Sequence, residues 1–291
     1  MKWIYSGLAA ATLALGGASY ARYLHRRREV WNERLANAIP VNSKWWKDYH
    51  LRDGDILYAA IGDSTAQGIG ASKPGRSYVG ELAKHMRKVT GKTVKVANFA
   101  VSGSTVRGAL LQQLPKLRKI QPDIVTVSIG ANNMADFNAE VFENDLQRLF
   151  DGLPEHAIIA DLPSFYFLPA EKNVIIANEI VHRLASRFHF PVVPLYARTK
   201  RQGLWGVSTQ FAGDLFHPND RGYAVWAAAF IPTLDVALQS LAREVMAHDA
   251  EPVAGSGAVA EGNAVAEGSA IAEGSAEGSA DGRTDDNPPA H

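Results

Sequence analysis

Four short stretches hold a hydroxyl, a glycine, an amide and an acid–imidazole pair in contexts where such groups can act on a ligand. Gly62-Asp63-Ser64-Thr65 places a serine in a glycine-containing turn, where its hydroxyl can face a ligand or simply cap a helix. Asn98-Phe99-Ala100-Val101-Ser102-Gly103-Ser104 carries a glycine that admits a backbone N–H close to a bound group, and that equally suits a tight turn. Ser128-Ile129-Gly130-Ala131-Asn132-Asn133 supplies an asparagine whose amide can donate into a cleft or close an Asx turn. Among the nine histidines, His217 alone follows an aspartate at a spacing of three, in Asp214-Leu215-Phe216-His217.

The elements that must position these groups alternate regularly. Apolar runs at 56–61, 94–99, 124–129, 157–160 and 192–195 have the length and composition of buried parallel strands. Helical patterns lie between and after them, at 77–89, 106–119, 139–150, 171–188 and 220–241. Pro122-Asp123 and Phe190-Pro191 mark the entries to the third and fifth strands. Strand and helix alternating five times predict an α/β domain, a three-layer α/β/α sandwich around a five-stranded parallel sheet. In such sheets ligands bind outside the carboxyl ends of the strands. Three of the four stretches follow the first three strands directly.

In this order, the four blocks resemble the SGNH hydrolases, the GDSL-type esterases and lipases. The first block reads Gly62-Asp63-Ser64-Thr65, the second-block glycine is Gly103, the third block reads Gly130-Ala131-Asn132-Asn133, and the last contributes Asp214 and His217, followed by Pro218-Asn219 and Gly222-Tyr223. The resemblance covers essentially the whole folded part. It implies a flavodoxin-like SGNH-hydrolase fold, cleavage of a carboxylic ester with no metal or organic cofactor, and an oxyanion hole formed by the Ser64 N–H, the Gly103 N–H and the Asn132 side-chain amide. Thr65 stands where leucine is usual and Asn133 where the third block carries aspartate. The first departure bears on packing behind the turn, the second on the geometry of the Asn132 donor.

The residue chemistry agrees with these roles. A serine hydroxyl is a poor nucleophile until a base within hydrogen-bond reach takes its proton. Residues three apart on a helical turn share one side, so Asp214 can hold one nitrogen of His217 while the other faces Ser64. The expected catalytic residues are therefore Ser64, His217 and Asp214. After the fourth strand, Pro163-Ser164-Phe165-Tyr166-Phe167-Leu168-Pro169 also reaches the active edge. Phe165 and Phe167 can line an acyl pocket there, or the loop can pack onto its own helix. The acyl-enzyme reading leaves two alternatives open: an acyltransferase using the same intermediate, and a catalytically silent binding module on the same fold.

Three other patterns lead elsewhere. Gly70–Ser77 is one residue short of a P-loop, contains Pro74 and has Arg76 where lysine is needed. Glu179 and His182 lack the second pair that a carboxylate-bridged metal site requires, so no metal is expected. A Gly-x-Ser-x-Gly elbow is missing because Ala66 occupies the second glycine position.

The chain has 291 residues, 46% of them hydrophobic, no cysteine and a formal net charge of zero. Absence of cysteine excludes disulfides and thiol catalysis, and the charge balance argues against nucleic acid as partner. The balance conceals unlike ends: residues 1–50 carry 8 basic and 3 acidic side chains, residues 249–291 carry 1 and 9. Residues 3–21 are uncharged and close on Arg22, Arg26, Arg27 and Arg28. This is the length and flank of a single membrane span, with the basic side and the domain behind it on the cytoplasmic face; the alternative is a signal segment cleaved on export. The expected organisation is thus an anchor or signal segment at 1–28, a linker at 29–52, the hydrolase domain at 53–246 and, at 247–291, a disordered acidic tail of Ala-Glu-Gly-Ser repeats. An acyl-ester substrate and the membrane are the partners this reading implies; it leaves the oligomeric state open.

Overall fold

The computed structural model describes residues 2–166 and 168–250, with the side chains of residues 1–16, 20, 21, 24, 28 and 248–250 outside the description. Five strands, β1 (Ile56–Gly62), β2 (Val94–Asn98), β3 (Ile124–Ser128), β4 (Ala157–Ala160) and β5 (Val192–Val193), form one parallel sheet in the order β2-β1-β3-β4-β5. This is the flavodoxin-like order, and it reverses between β1 and β3. Each strand lies within two residues of its expected run. β5 stops first because Pro194 has no N–H to extend the ladder.

The helices are α1 (Lys2–His50), α2 (Ser64–Gln67), α3 (Tyr78–Thr90), α4 (Val106–Gly108), α5 (Leu114–Leu117), α6 (Ala139–Phe150), α7 (Glu171–Arg187), α8 (Leu195–Lys200), α9 (Gly203–Thr209) and α10 (Asp220–Ala250). The single helix expected at 106–119 is divided, because a π-helical turn, Ala109–Gln113, separates α4 from α5. Pro115, in the first turn of α5, lacks the N–H that an unbroken α-helix would use there. Ser77, expected as the first residue of its helix, instead caps α3 by accepting from the Gly80 N–H.

Side-chain alternation along β1 divides the core into two. Ile56, Tyr58 and Ala60 face α3 and α10, whereas Ala59 and Ile61 face the layer that includes α6 and α7. The three layers expected from the sequence follow directly from this alternation.

Of the segment read as a linker, 29–52, residues 29–50 are the C-terminal part of α1, continuous with the helix that passes through 3–21. Its packing explains why it is ordered. Trp46 is buried in the α3/α10 core, Trp45 meets it edge to face at 4.6 Å, and Leu35 and Asn42 are buried as well. The acidic tail lies outside the described residues from 251 onward. Among the described residues one stretch, Asp220–Ala247 in α10, is long and apolar enough to cross a membrane. Its apolar side, however, carries Tyr223, Trp226, Phe230 and Leu234 into the core, as expected of a helix that covers a sheet.

Candidate active site

The strand-order reversal brings the ends of β1 and β3 to one crevice, and Ser64 and Asn132 follow those two ends. Ser64 opens α2, where Asp63 caps the helix by accepting from the Thr65 N–H at 2.9 Å. The Thr65 hydroxyl donates to the same carboxylate oxygen at 2.8 Å. The departure from leucine at this position is therefore a polar contact in the Ser64 turn as well as a packing change. Burial pushes the Asp63 carboxyl above the ordinary range, against the pull of the two Thr65 donors.

His217 reaches Ser64 from 153 positions away, with Nε2 2.9 Å from Oγ. Its Nδ1 lies 2.6 Å from Asp214 Oδ2. The geometry differs from the helical turn that the spacing suggested. Residues 214–217 form a bent loop in which Leu215 adopts φ +59°, a left-handed conformation uncommon for a leucine. This bend lets Asp214 Oδ1 accept from the Phe216 and His217 N–H groups, each at 3.1 Å, while the other oxygen serves the ring. Burial would raise the Asp214 carboxyl, but the hydrogen bond and charge of His217, with the two N–H donors, bring it below its usual value. The loop is cinched by the Ala212 N–H donating to the His217 carbonyl at 2.8 Å. It also lies directly against Gly70, where φ is +95° and an added Cβ would strike Pro218 and His217.

Of the groups expected of the oxyanion hole, Asn132 lines the same cavity as Ser64. Among the described residues the N–H groups of Ser64 and Gly103 make no hydrogen bond, and Gly103 turns at φ +77°. Asn132 Nδ2 donates to the Ser104 carbonyl at 3.0 Å and lies 3.4 Å from Asp63 Oδ2. Asn133 Oδ1 accepts from the Val106 N–H at 3.0 Å. A carboxylate could accept the same bond, so the neutral amide retains this link between the β3 end and α4.

Beside Ser64 opens a cavity of about 310 Å³, lined by Asn132, Phe165, Tyr166, Phe211, Leu215 and Trp226 among others. Phe165 is thus on the wall, while Phe167 falls outside the described residues. The wall is tied down by Tyr166, whose hydroxyl donates to the Thr199 carbonyl at 2.9 Å.

Several supporting residues gave no signal in the sequence. Gln113, fully buried in the π turn, accepts from the Gly62 N–H at 3.0 Å and donates to the Gly62 carbonyl at 2.9 Å and to Ser104 Oγ at 3.0 Å. One amide thus links the strand end before Ser64 to the loop holding Gly103. Asn42 and Trp46 of α1 both donate to the Gln67 carbonyl, at 3.0 and 3.1 Å, behind the Ser64 turn. Trp31 of α1 packs on Gly213, next to Asp214, so closely that a Cβ there would collide with its ring. The π interruption is the one local cue that could have pointed to Gln113, since such turns concentrate at functional sites.

The remaining motifs have structural partners. Arg76 of the P-loop-like stretch pairs with Glu81 at 2.8 Å and Asp220 at 3.6 Å. His182 pairs with Asp161 at 3.1 Å rather than with Glu179. No group of three or more potential metal ligands occurs among the described residues.

Comparison with known proteins places this geometry in context. Residues 60–225 match the model of the GDSL-like lipase/acylhydrolase family. The uncharacterized protein YpmR of Bacillus subtilis (strain 168) is 39% identical over 85 residues, which is 27% of this chain and 32% of that protein; the alignment thus spans about a third of this curated relative. A member of the lipolytic protein G-D-S-L family from Veillonella parvula DSM 2008 superposes with a TM-score of 0.52 at 18% identity, covering 60% of this chain and 96% of that one. Axe2, an acetylxylan esterase from Geobacillus stearothermophilus, gives 0.50 at 18% identity, covering 61% and 93%. At these identities the two structural likenesses are of fold.

Proposed function

The chain belongs to the GDSL-like lipase/acylhydrolase family; from that premise we propose that it is an SGNH-type carboxylic ester hydrolase that works through an acyl-enzyme on Ser64. His217 Nε2 takes the hydroxyl proton as Ser64 Oγ attacks the ester carbonyl carbon. Negative charge then develops on the carbonyl oxygen, where the Ser64 and Gly103 N–H groups and the Asn132 amide stabilise it. His217 returns the proton to the departing alcohol, leaving the acyl group on Ser64. Water repeats the sequence: His217 accepts its proton, the hydroxide attacks the acyl carbon, and the carboxylic acid leaves as Ser64 regains its hydrogen. Asp214 keeps the imidazole oriented and balances its positive charge in both halves.

The observation that carries the reading is the continuous pair of contacts from Ser64 through His217 to Asp214, at 2.9 and 2.6 Å. The apolar wall at Phe165, Leu215 and Trp226 supports an acyl chain as occupant of the cavity. The uncharged stretch 3–21 with its arginine flank supports a membrane tether at the start of α1, with the domain on the cytoplasmic face.

A serine-directed fluorophosphonate is the direct test. The wild-type protein is expected to be labelled and Ser64→Ala is not. A folded wild-type protein that resists labelling would favour a silent binding module. Ester hydrolysis measured across chain lengths on the same pair identifies the acyl preference.

A further inference from the structure

The mouth of the cavity carries more exposed apolar surface than the acyl pocket itself requires. Leu168, Leu215 and Phe216 line the cavity and are also exposed to solvent. On α9, Leu204 sits one turn before the cavity residue Val207, and it is 73% exposed with Trp205 beside it at 69%. Isolated exposed leucines are ordinary, but a run of them around a pocket mouth marks a contact surface. Charge is distributed unevenly beside it. Between Glu179 and Asp214 the chain has no acidic residue, whereas Arg198, Lys200 and Arg201 immediately precede Leu204 and Trp205. Lys200 lies 3.6 Å from Glu171. Arg198 and Arg201 are exposed and form no ion pair among the described residues.

We infer that this rim, formed by Leu204, Trp205, Leu215 and Phe216 with Arg198 and Arg201 beside them, docks on an anionic lipid surface and delivers ester substrate from that surface into the cavity. Exposed tryptophan and leucine suit the boundary between headgroups and acyl chains. The arginines meet the negative headgroups, each strengthening partitioning about fivefold. An acyl ester lying in the leaflet then enters the cavity past Leu215 and Phe216 without crossing water. The esterase reading underlies only what is cleaved; the surface contact rests on α9 and its cations.

The test uses the full chain with vesicles of dibrominated phosphatidylcholine, alone or with about one-third phosphatidylglycerol. Tryptophan emission is compared between wild type and Trp205→Phe, so that the difference isolates Trp205 from the other tryptophans. Quenching of that difference signal is expected in the anionic vesicles, with at least a tenfold weaker effect in phosphatidylcholine alone. Arg198→Glu with Arg201→Glu is expected to remove it. The same charge reversal is expected to slow hydrolysis of a vesicle-embedded acyl ester at least tenfold and to leave hydrolysis of a soluble short-chain ester unchanged. Unquenched Trp205 emission in anionic vesicles overturns the proposal, and so does quenching indifferent to the charge reversal. If the wild type cleaves neither ester, the esterase reading fails, while the quenching result still decides the docking.

Discussion

The two sides of the crevice are built on opposite plans. On the side of β1, Ser64 emerges from a strand end locked by buried polar contacts. Gln113 holds Gly62, Asp63 holds Thr65, and Asn42 and Trp46 hold Gln67. On the facing side, residues 163–166 and 203–217 form loops and a short helix, anchored to Thr199 through Ser164 and Tyr166 but with Leu204, Trp205, Leu215 and Phe216 open to solvent. Buried hydrogen bonds permit one arrangement and penalise others, because an orphaned partner costs about 1–3 kcal/mol. Apolar walls tolerate change in shape with smaller penalties. Under the proposed reaction, the division separates the position of the reacting atoms from the choice of what is bound. His217 bridges the two: it sits on the apolar side, but the bend at Leu215 and both oxygens of Asp214 hold it in place.

That contrast can be broken most severely at the bridge. Ser64→Ala or His217→Ala is expected to lower kcat by about 10⁴- to 10⁶-fold with little change in Tm, and the double variant to lose little more, since triad members act as a unit. Kinetics on the two single variants and the double one check this; additive losses would sink the coupled triad. Asn132→Ala comes next, with kcat expected to fall about 100- to 1,000-fold and KM nearly unchanged, because the lost donor acts on charge that develops only during reaction.

The structural lock itself gives smaller effects. Gln113→Ala leaves the buried Gly62 N–H without a partner, so urea unfolding should report a loss of about 1–3 kcal/mol. The accompanying fall should appear in kcat more than in KM. On the apolar side, Phe165→Ala should raise KM for longer acyl esters about tenfold, with acetyl esters unaffected; identical chain-length profiles would remove Phe165 from the acyl wall.

The smallest effects distinguish the two carboxylates by sign. Asp214 is held below its ordinary value of 3.8. Its contribution to stability is complete above about pH 4 and is lost as pH falls through the folded-state value. Asp63 is pushed above 3.8, so its contribution is complete below about pH 4 and is lost as pH rises through the folded-state value. Denaturation of Asp63→Asn should thus show the variant gaining on wild type as pH rises above 4, and Asp214→Asn should show wild type gaining on the variant as pH rises toward 4. Parallel pH profiles would show that neither environment differs between folded and unfolded chains.

Much of this was readable along the chain. The sheet was legible because fully buried strands are short continuous apolar runs, and the helices because amphipathic faces repeat. Ser64, Asn132 and His217 were legible as candidates because each lies in a compact local block; that Ser64 and His217 meet was not. What escaped was local geometry without a pattern: the left-handed Leu215, the π turn at Gln113, and the helical continuation of α1 through 29–50, within the mixed-charge segment read as a linker.

The sequence by itself thus determined the layer architecture, the strand ends at which chemistry had to sit, and the residue types able to perform it, because each of these is recorded in residues near one another. Only the tertiary structure decided which of them meet. Ser64 and His217 are 153 positions apart, and Gln113 reaches Gly62 across 51. Such contacts arise when separate segments converge on one sheet edge, and a hydrogen bond between distant segments imposes no periodicity on either. The apolar rim on α9 is the same kind of feature. Leu204 and Trp205 lie in no motif of the sequence, and only the packing of α9 beside the cavity leaves them facing solvent.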